Sequence, residues 1–532
     1  MSPSRTEIPQ KTRLLGDFVV KKVQEKWHFP GKKLAPEAAM YKRKLNQVTI
    51  FEDPAMCGGI ALNPENEWVK LAKLIPWWAF EEKYAEQFPA PTGQPADSFR
   101  MALGSQLIKE QYHFSDEKVV DEIAMNPYLQ YFLGLPEYRQ TAPFDPSMMT
   151  RFRQRLRPEM LQEVNDVIIG RKRAEDVGKD PHDDDPPAPP DAGGDCGEEG
   201  SGEGSEEEPA NEGTLILDAT CVPQNIRFPT DASLLNEARE NSEEIIDAFH
   251  KAGLTDGKKP RTYRKNAKKR YNRFSKSRKK TKKSVRTVKK EQLNYLRRNL
   301  KSIDIIIRNH PDECEKALTK WQQDRLEVIR LLYEQQRKMY ETHTNRIDDR
   351  IVSLSQPWVR PIVRGKQNAE VEFGAKVELS DVNGFLRIED FRWDAFNEST
   401  TLKTSVEVYR KAYGHYPARV LADTIFRTRE NVRYCKSHHI HLNVQKLGRP
   451  SKDPEIRKEE LRLEWLESGE HGDIERRFGI GKCTTSLGLI AAKLRHTSEV
   501  TAHTSVITLN LQKRLRLLLR LLFAFLRPAR AV

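Results

Sequence analysis

The sequence predicts an α/β protein: a mixed-sheet domain that carries a long helical insertion and follows an all-α region. Three observations predict it. Between Asn66 and Leu156 apolar residues recur at helical spacing. From Thr214 onward short apolar, strand-like runs appear, and further along they alternate with helical segments. Between Leu234 and Ile351 the pattern returns to long, charge-rich helices set inside the strand-bearing half.

Taken in order, residues 1–65 mix basic and turn residues and read as an N-terminal arm. Asn66 to Phe88 is an aromatic-rich helical stretch that Pro76 should split, because proline lacks the amide donor and clashes with the preceding turn. Two helices fit 98–112 and 115–125, the second with Ser115 as its N-cap. A fourth begins at Asp145-Pro146, a cap followed by a residue whose fixed φ suits the first helical position. It stacks Met148, Phe152 and Leu156 at i, i+4 and i+8, leaving Arg151 and Arg155 on a flank, where they serve DNA phosphate or solvent equally well. Residues 175–213 form an acidic linker with almost nothing to bury, the composition of a disordered segment.

Beyond the linker, Thr214-Leu215-Ile216-Leu217 leads into Asp218. Residues 370–379 and 384–393 alternate across Asp381-Val382-Asn383-Gly384, a hairpin signal. Arg419-Val420-Leu421-Ala422 is a short strand ending at Asp423. Helices are expected over 402–413, 428–438 and 454–480, with a final pair beyond 485.

Charge narrows the function classes. The net charge is +13, although Glu175 to Glu212 holds 15 acids against one base, so the remainder is more cationic than the total implies. Such a field attracts polyanions, nucleic acid above all. Lys258 to Lys290 contains 18 Lys and Arg and no acid, with Tyr263, Tyr271 and Phe274 interleaved. Lys268, Lys269, Arg270, Arg278, Lys279 and Lys280 are the candidate phosphate contacts there, binding without reading sequence. Six scattered cysteines with no CxxC pair argue against a disulfide framework and a zinc ribbon. Cys435, His438, His439 and His441 lack the second ligand pair of a closed zinc site. No signal peptide is evident, and Arg516 and Arg520 interrupt the apolar C-terminal run, which is short of the roughly 20 residues a membrane span needs. The expectation is a soluble cytoplasmic chain associated with the nucleoid, without membrane contact.

The residues able to carry chemistry are acids. Asp218 and Asp423 each lie at the end of, or within, a short apolar strand, where an ionised carboxylate is costly unless paired or bound to a cation. Capping a turn is the alternative role for either alone. Two carboxylates repel by about 4 kcal/mol at 4 Å in an effective dielectric of 20. A hard divalent ion relieves that repulsion through oxygen ligands. A third acid must come from elsewhere. Glu475 and Lys482 lie seven residues apart, two helical turns, and share a face with Phe478. Arg476 and Arg477 adjoin Glu475, whose alternative role is a surface salt bridge.

These blocks together resemble DDE transposases of bacterial insertion sequences, in the group named after insertion sequences four and five. Leu217-Asp218-Ala219-Thr220 with Ile226-Arg227-Phe228-Pro229-Thr230-Asp231 resembles the first-aspartate block. Tyr416 through Asp423, followed by Arg427-Thr428-Arg429-Glu430-Asn431, resembles the second. Glu475 with Lys482 resembles the glutamate, six residues, lysine signature, although Ser468 and His471 stand where the family often has tyrosine and arginine, which leaves Glu470 as a rival. Ser115-Asp116-Glu117 and Asp145 through Arg153 resemble the N-terminal helical region.

The resemblance implies an RNase H-like catalytic domain in which Asp218, Asp423 and Glu475 bind two Mg²⁺ or Mn²⁺ ions. Lys482, Arg476 and Arg477 would contact DNA near the cut. The organisation becomes an arm (1–65), a helical DNA-binding domain (66–174), a linker (175–213), a catalytic domain (214–510) with a basic insertion (234–351), and a C-terminal helix (511–532). The partner is double-stranded DNA, both transposon ends and target, and synapsis of two ends implies a homodimer. A catalytically inactive, transposase-derived DNA-binding protein is the rival; it would tolerate loss of the three acids.

Overall fold

A computed structural model describes residues 56–57, 60–88, 96–177, 210–255, 257–366, 369–443 and 453–526. The expected arm and acidic linker fall almost wholly outside the described residues. The chain divides into two compact units, Lys44–Gln87 with Asp97–Val532, and Met1–Arg43 with Phe88–Ala96. Of the smaller unit only Phe88 and Ala96 are described, and the elements below belong to the larger one.

After a short strand pair, β1 (Met56–Cys57) and β2 (Ile60–Ala61), come helices α1 (Glu67–Leu74) and α2 (Trp78–Ala85), separated at Pro76 as the missing amide requires. Then follow α3 (Phe99–Tyr112), α4 (Asp116–Met125), α5 (Pro127–Phe132), α6 (Met148–Arg155) and α7 (Pro158–Ile168). Ser98 and Ser115 cap α3 and α4, accepting from Met101 N and Lys118 N. Helix α6 starts two residues later than expected, and its packing face is Met149, Phe152, Arg153 and Leu156. Arg153 is drawn inward because Asp116 accepts two hydrogen bonds from it, at 3.0 and 2.6 Å.

One mixed sheet organises the other half. Its strands are β3 (Thr214–Pro223), β4 (Arg360–Lys366), β5 (Ala369–Val382), β6 (Phe385–Arg392), β7 (Arg419–Ala422) and β8 (His441–Leu442). They lie in the order β4–β5–β3–β7–β8, with β6 also paired to β5. Strand β5 is antiparallel to β3, whereas β7 is parallel to it. The β5–β6 turn tightens to Asn383-Gly384, both at positive φ, the geometry of a two-residue hairpin that favours Asn-Gly. A mixed sheet with helices on both faces is consistent with the RNase H-like domain of DDE transposases.

Between β3 and β4 stand α8 (Asp231–Lys251), α9 (Arg264–Ser275), α10 (Lys282–Asn309), α11 (Pro311–Ala317) and α12 (Lys320–Glu341). This bundle buries a core of its own, including Leu235, Ile246, Phe249, Leu296, Ile303, Ile329 and Leu332. On the sheet, α13 (Leu402–Tyr413) covers one face with α14 (Arg429–Ser437) beside it, around Leu215, Leu217, Val406 and Val420. The other face carries α15 (Pro454–Thr484) and α16 (Arg495–Leu526), around Val377, Leu379, Ile474, Phe478 and Val506.

Helix α16 corrects the expectation of a helix pair. No glycine or proline interrupts Arg495 to Leu526, so one helix runs through. It packs against α3, α6 and α7, so the N-terminal helices share a core with it. Buried polar pairs fasten the junction. Glu110 accepts from Ser486 N at 2.9 Å and from Ser505 Oγ at 2.8 Å, while Arg387 on β6 meets Asp166 at 2.8 Å.

Candidate active site

The register brings two acids together. Parallel strands β3 and β7 pair Leu215 with Val420 and Leu217 with Ala422. One step further, Asp218, midway along β3 and still paired with Leu379 of β5, stands beside Asp423, which follows the end of β7. Asp218 is 9% exposed and its Oδ1 accepts from Ala219 N at 2.7 Å. Asp423 lies open to solvent just before a short turn of 3₁₀ helix at Thr424–Phe426. The strand end is pinned from the side, where Asn443 Oδ1 accepts from Ala422 N at 2.9 Å.

Burial, and then the negative charge of Asp423, push the carboxyl of Asp218 up to about 7; His471 pulls the other way. His471, on α15, is the feature that sequence reasoning noted only as a departure. It is buried, and its Nε2 lies 3.4 Å from Leu217 O, directly before Asp218. The readable signal was its place one helical turn before Glu475.

Helix α15 has a buried stripe of Glu467, His471, Ile474, Phe478 and Gly481. Glu470 and Arg477 flank it on one side. Their ion pairs, with Arg419 at 2.9 Å and Asp381 at 2.6 Å, aim that side at residues preceding Asp218, since Arg419 pairs with Thr214 and Asp381 with Ile216. At about 100° per residue, Glu475 and Lys482 fall on the opposite flank of the buried stripe. Glu475 is exposed and Lys482 half-buried. Among the described residues no three His, Cys, Asp or Glu side chains gather closely enough to hold a metal ion, so Glu475 does not complete a ligand cluster with the two aspartates.

The remaining candidates separate. Glu470 is engaged by Arg419 on the far flank from Glu475. Arg477 is committed to buried Asp381, and Arg476 pairs with Asp473 at 2.7 Å. Glycine explains only part of α15: Gly481 packs against Leu487 and Leu509, whereas nothing accounts for Gly479, which faces open space. Arg151 is exposed on α6, and Arg155 is half-buried beside the Tyr84 hydroxyl. Lys268, Lys269, Arg270, Arg278, Lys279 and Lys280 all stand exposed on α9 and the turn into α10. Of these, Arg270 meets Glu291, and Lys280 lies over the Phe274 ring.

Comparison with known proteins bears on the same two regions. Residues 60–155 match a family model described as Transposase domain (DUF772), and residues 420–512 match one described as Transposase DDE domain. Both stretches are thus similar to transposase domains, the second to a DDE domain. The second match spans β7, Asp423, α15 with Glu475, and most of α16; Asp218 lies outside it. A curated relative, an uncharacterised protein ORF8 in the nfe locus of Rhizobium meliloti, is 39% identical over 103 residues, 19% of this chain. The chain spans about half, 49%, of that relative's length. No solved structure is a significant match. Among the described residues no helix is long and apolar enough to cross a membrane.

Proposed function

We propose that the chain is an active insertion-sequence transposase of the insertion-sequence four/five-like group, cutting and rejoining DNA strands at the ends of its own element. The observation that supports this reading is the pair Asp218 and Asp423 side by side on neighbouring strands, with His471 of α15 against the residue before Asp218. Oxygen donors on neighbouring strands, one holding a raised carboxyl, fit a hard divalent cation, which commonly takes one or two protein carboxylates beside water and phosphate. Asp218 and Asp423 would hold Mg²⁺ or Mn²⁺, with Glu475 as the third acid of a two-ion site although the three do not form a cluster here. When bound, such ions supply the Lewis acidity of phosphoryl transfer.

The chain's own groups do the rest. Asn443 holds the strand end beside Asp423, and His471 stabilises the charged form of Asp218. Lys482 and Arg476 neutralise a phosphate beside the cut, while Arg477 steadies the sheet beneath them. The exposed cations of α9 and the α9–α10 turn grip the double helix through its backbone, and Arg151, with Arg155 at its edge, adds to that surface. Two copies would synapse two DNA ends, in the cytoplasm and at the nucleoid. The test is cleavage of a duplex carrying the element's terminal repeats. The wild type should cut with Mg²⁺ or Mn²⁺, and Asp218→Asn and Asp423→Asn should bind the ends without cutting. Undiminished cutting by both variants would overturn the assignment. The inactive, DNA-binding reading predicts no cutting by the wild type.

A further inference from the structure

Helix α15 is one continuous element with two unlike halves. From Glu467 onward it lies on the sheet. Before that, Glu467 meets His441 at 2.6 Å on β8, the edge strand, and residues 453–466 of the helix are largely exposed. Leu461 is 56% and Trp465 75% exposed there. A helix of this length without packing is marginal in water, and a bare Trp and Leu one turn apart make its cost worse.

One face of this stretch carries Arg457, Lys458, Leu461, Glu464 and Trp465, two cations at one end and an acid and an indole at the other. We infer that this face pairs with the same face of a second copy of the chain, antiparallel about a two-fold axis at Leu461. That arrangement sets Lys458 against Glu464 of the second copy and Arg457 against its Trp465, an ion pair and a cation–π contact, each occurring twice. A parallel arrangement would oppose like charges at Arg457, Lys458 and Glu464 and set Trp465 on its own copy, so the sequence selects the antiparallel one. Nucleic acid is a poor occupant, because Asp453 to Glu467 holds six acids against three bases. The surface specifies the contact for the paired action proposed above, and to that extent rests on that reading.

A single helix pair covers less than the roughly 1,200–2,000 Å² of a standard stable interface, so the dimer should be a weak one. The test is sedimentation equilibrium of the full chain without DNA or metal, up to about 100 µM, a range that detects dimers with micromolar dissociation constants. The wild type should dimerise. Lys458→Glu and Glu464→Lys should each weaken the dimer at least about tenfold by opposing like charges twice over. The double variant, carrying both exchanges, should recover it, and circular dichroism checks that each variant is folded. A monomeric wild type, a dimer indifferent to the single exchanges, or a double variant that stays monomeric overturns the pairing. Because no DNA is present, these outcomes are independent of whether the chain cuts.

Discussion

The helical bundle and the sheet handle charge in opposite ways. In the bundle, the cations of α9 and the following turn stand in water, while its buried charge is locally paired: Arg239 is held by Glu243 at 2.5 Å and by Gln292 at 3.1 Å. In the sheet, acids are buried. Asp218, Glu378 and Asp381 lie on β3 and β5, each raised chiefly by burial, Glu378 to about 8. Exposed cations such as those of the bundle suit long-range attraction to a polyanion, which needs no particular geometry. The sheet concentrates charge where water is scarce, so that a cation or a fixed partner is required.

Substitutions can break this contrast at either end. Asp218→Asn or Asp423→Asn should lower cleavage by on the order of 10³-fold or more, the scale on which phosphoryl transfer depends on charge-neutralising groups. End binding, followed by gel shift, should stay within a few-fold. Changing Lys268, Lys269, Arg270, Arg278, Lys279 and Lys280 together to Gln should flatten the dependence of log affinity on log salt by about 5, if each neutralises one phosphate at a slope near 0.9 apiece. A salt titration that keeps its slope would remove the bundle from the interface.

Stability separates the regions further. Arg477→Ala leaves Asp381 buried without its partner, and breaking such a pair costs about 3–5 kcal/mol. Because Arg477 is partly exposed, the lower end is expected, read as a fall in the denaturant midpoint. Lys268→Ala, on the bundle surface, should leave that midpoint within about 0.5 kcal/mol.

The smallest effect is on pH. Asp218 has a folded pKa near 7 against an ordinary value of 3.8, so the folded state binds that proton more tightly. Its contribution to metal-free stability is complete below about pH 4 and is lost as pH rises through 7. Glu378 acts in the same direction, so Asp218→Asn should flatten the fall in melting temperature between pH 5 and 8 without abolishing it. Mg²⁺ or Mn²⁺ should raise the wild-type melting temperature more at pH 8 than at pH 6, since it displaces the proton. An equal rise at both would disconnect Asp218 from the metal.

Local chemistry was legible from the start. The break at Pro76, the Ser115 cap of α4, the hairpin turn at Asn383-Gly384, and the strands that carry Asp218 and lead into Asp423 each follow from a few neighbouring residues. The basic tract was equally plain, because exposed charge needs no partner to be recognised. The misjudged helix faces have a physical cause. Met148 fits an apolar stripe as well as Met149 does, and Arg153 joins the packing face because Asp116 supplies the charge that lets it turn inward.

What the sequence determined alone was the kind of residue available: two strand-borne aspartates, a helical Glu475, a cationic insertion. What only the tertiary structure decided was which of them meet. Parallel register put Asp423 beside Asp218, the crossing of α15 over β3 put His471 against the same strand, and Asp381 claimed Arg477. Those outcomes depend on contacts between residues up to hundreds of positions apart, whose energies come from burial and pairing that no local pattern encodes.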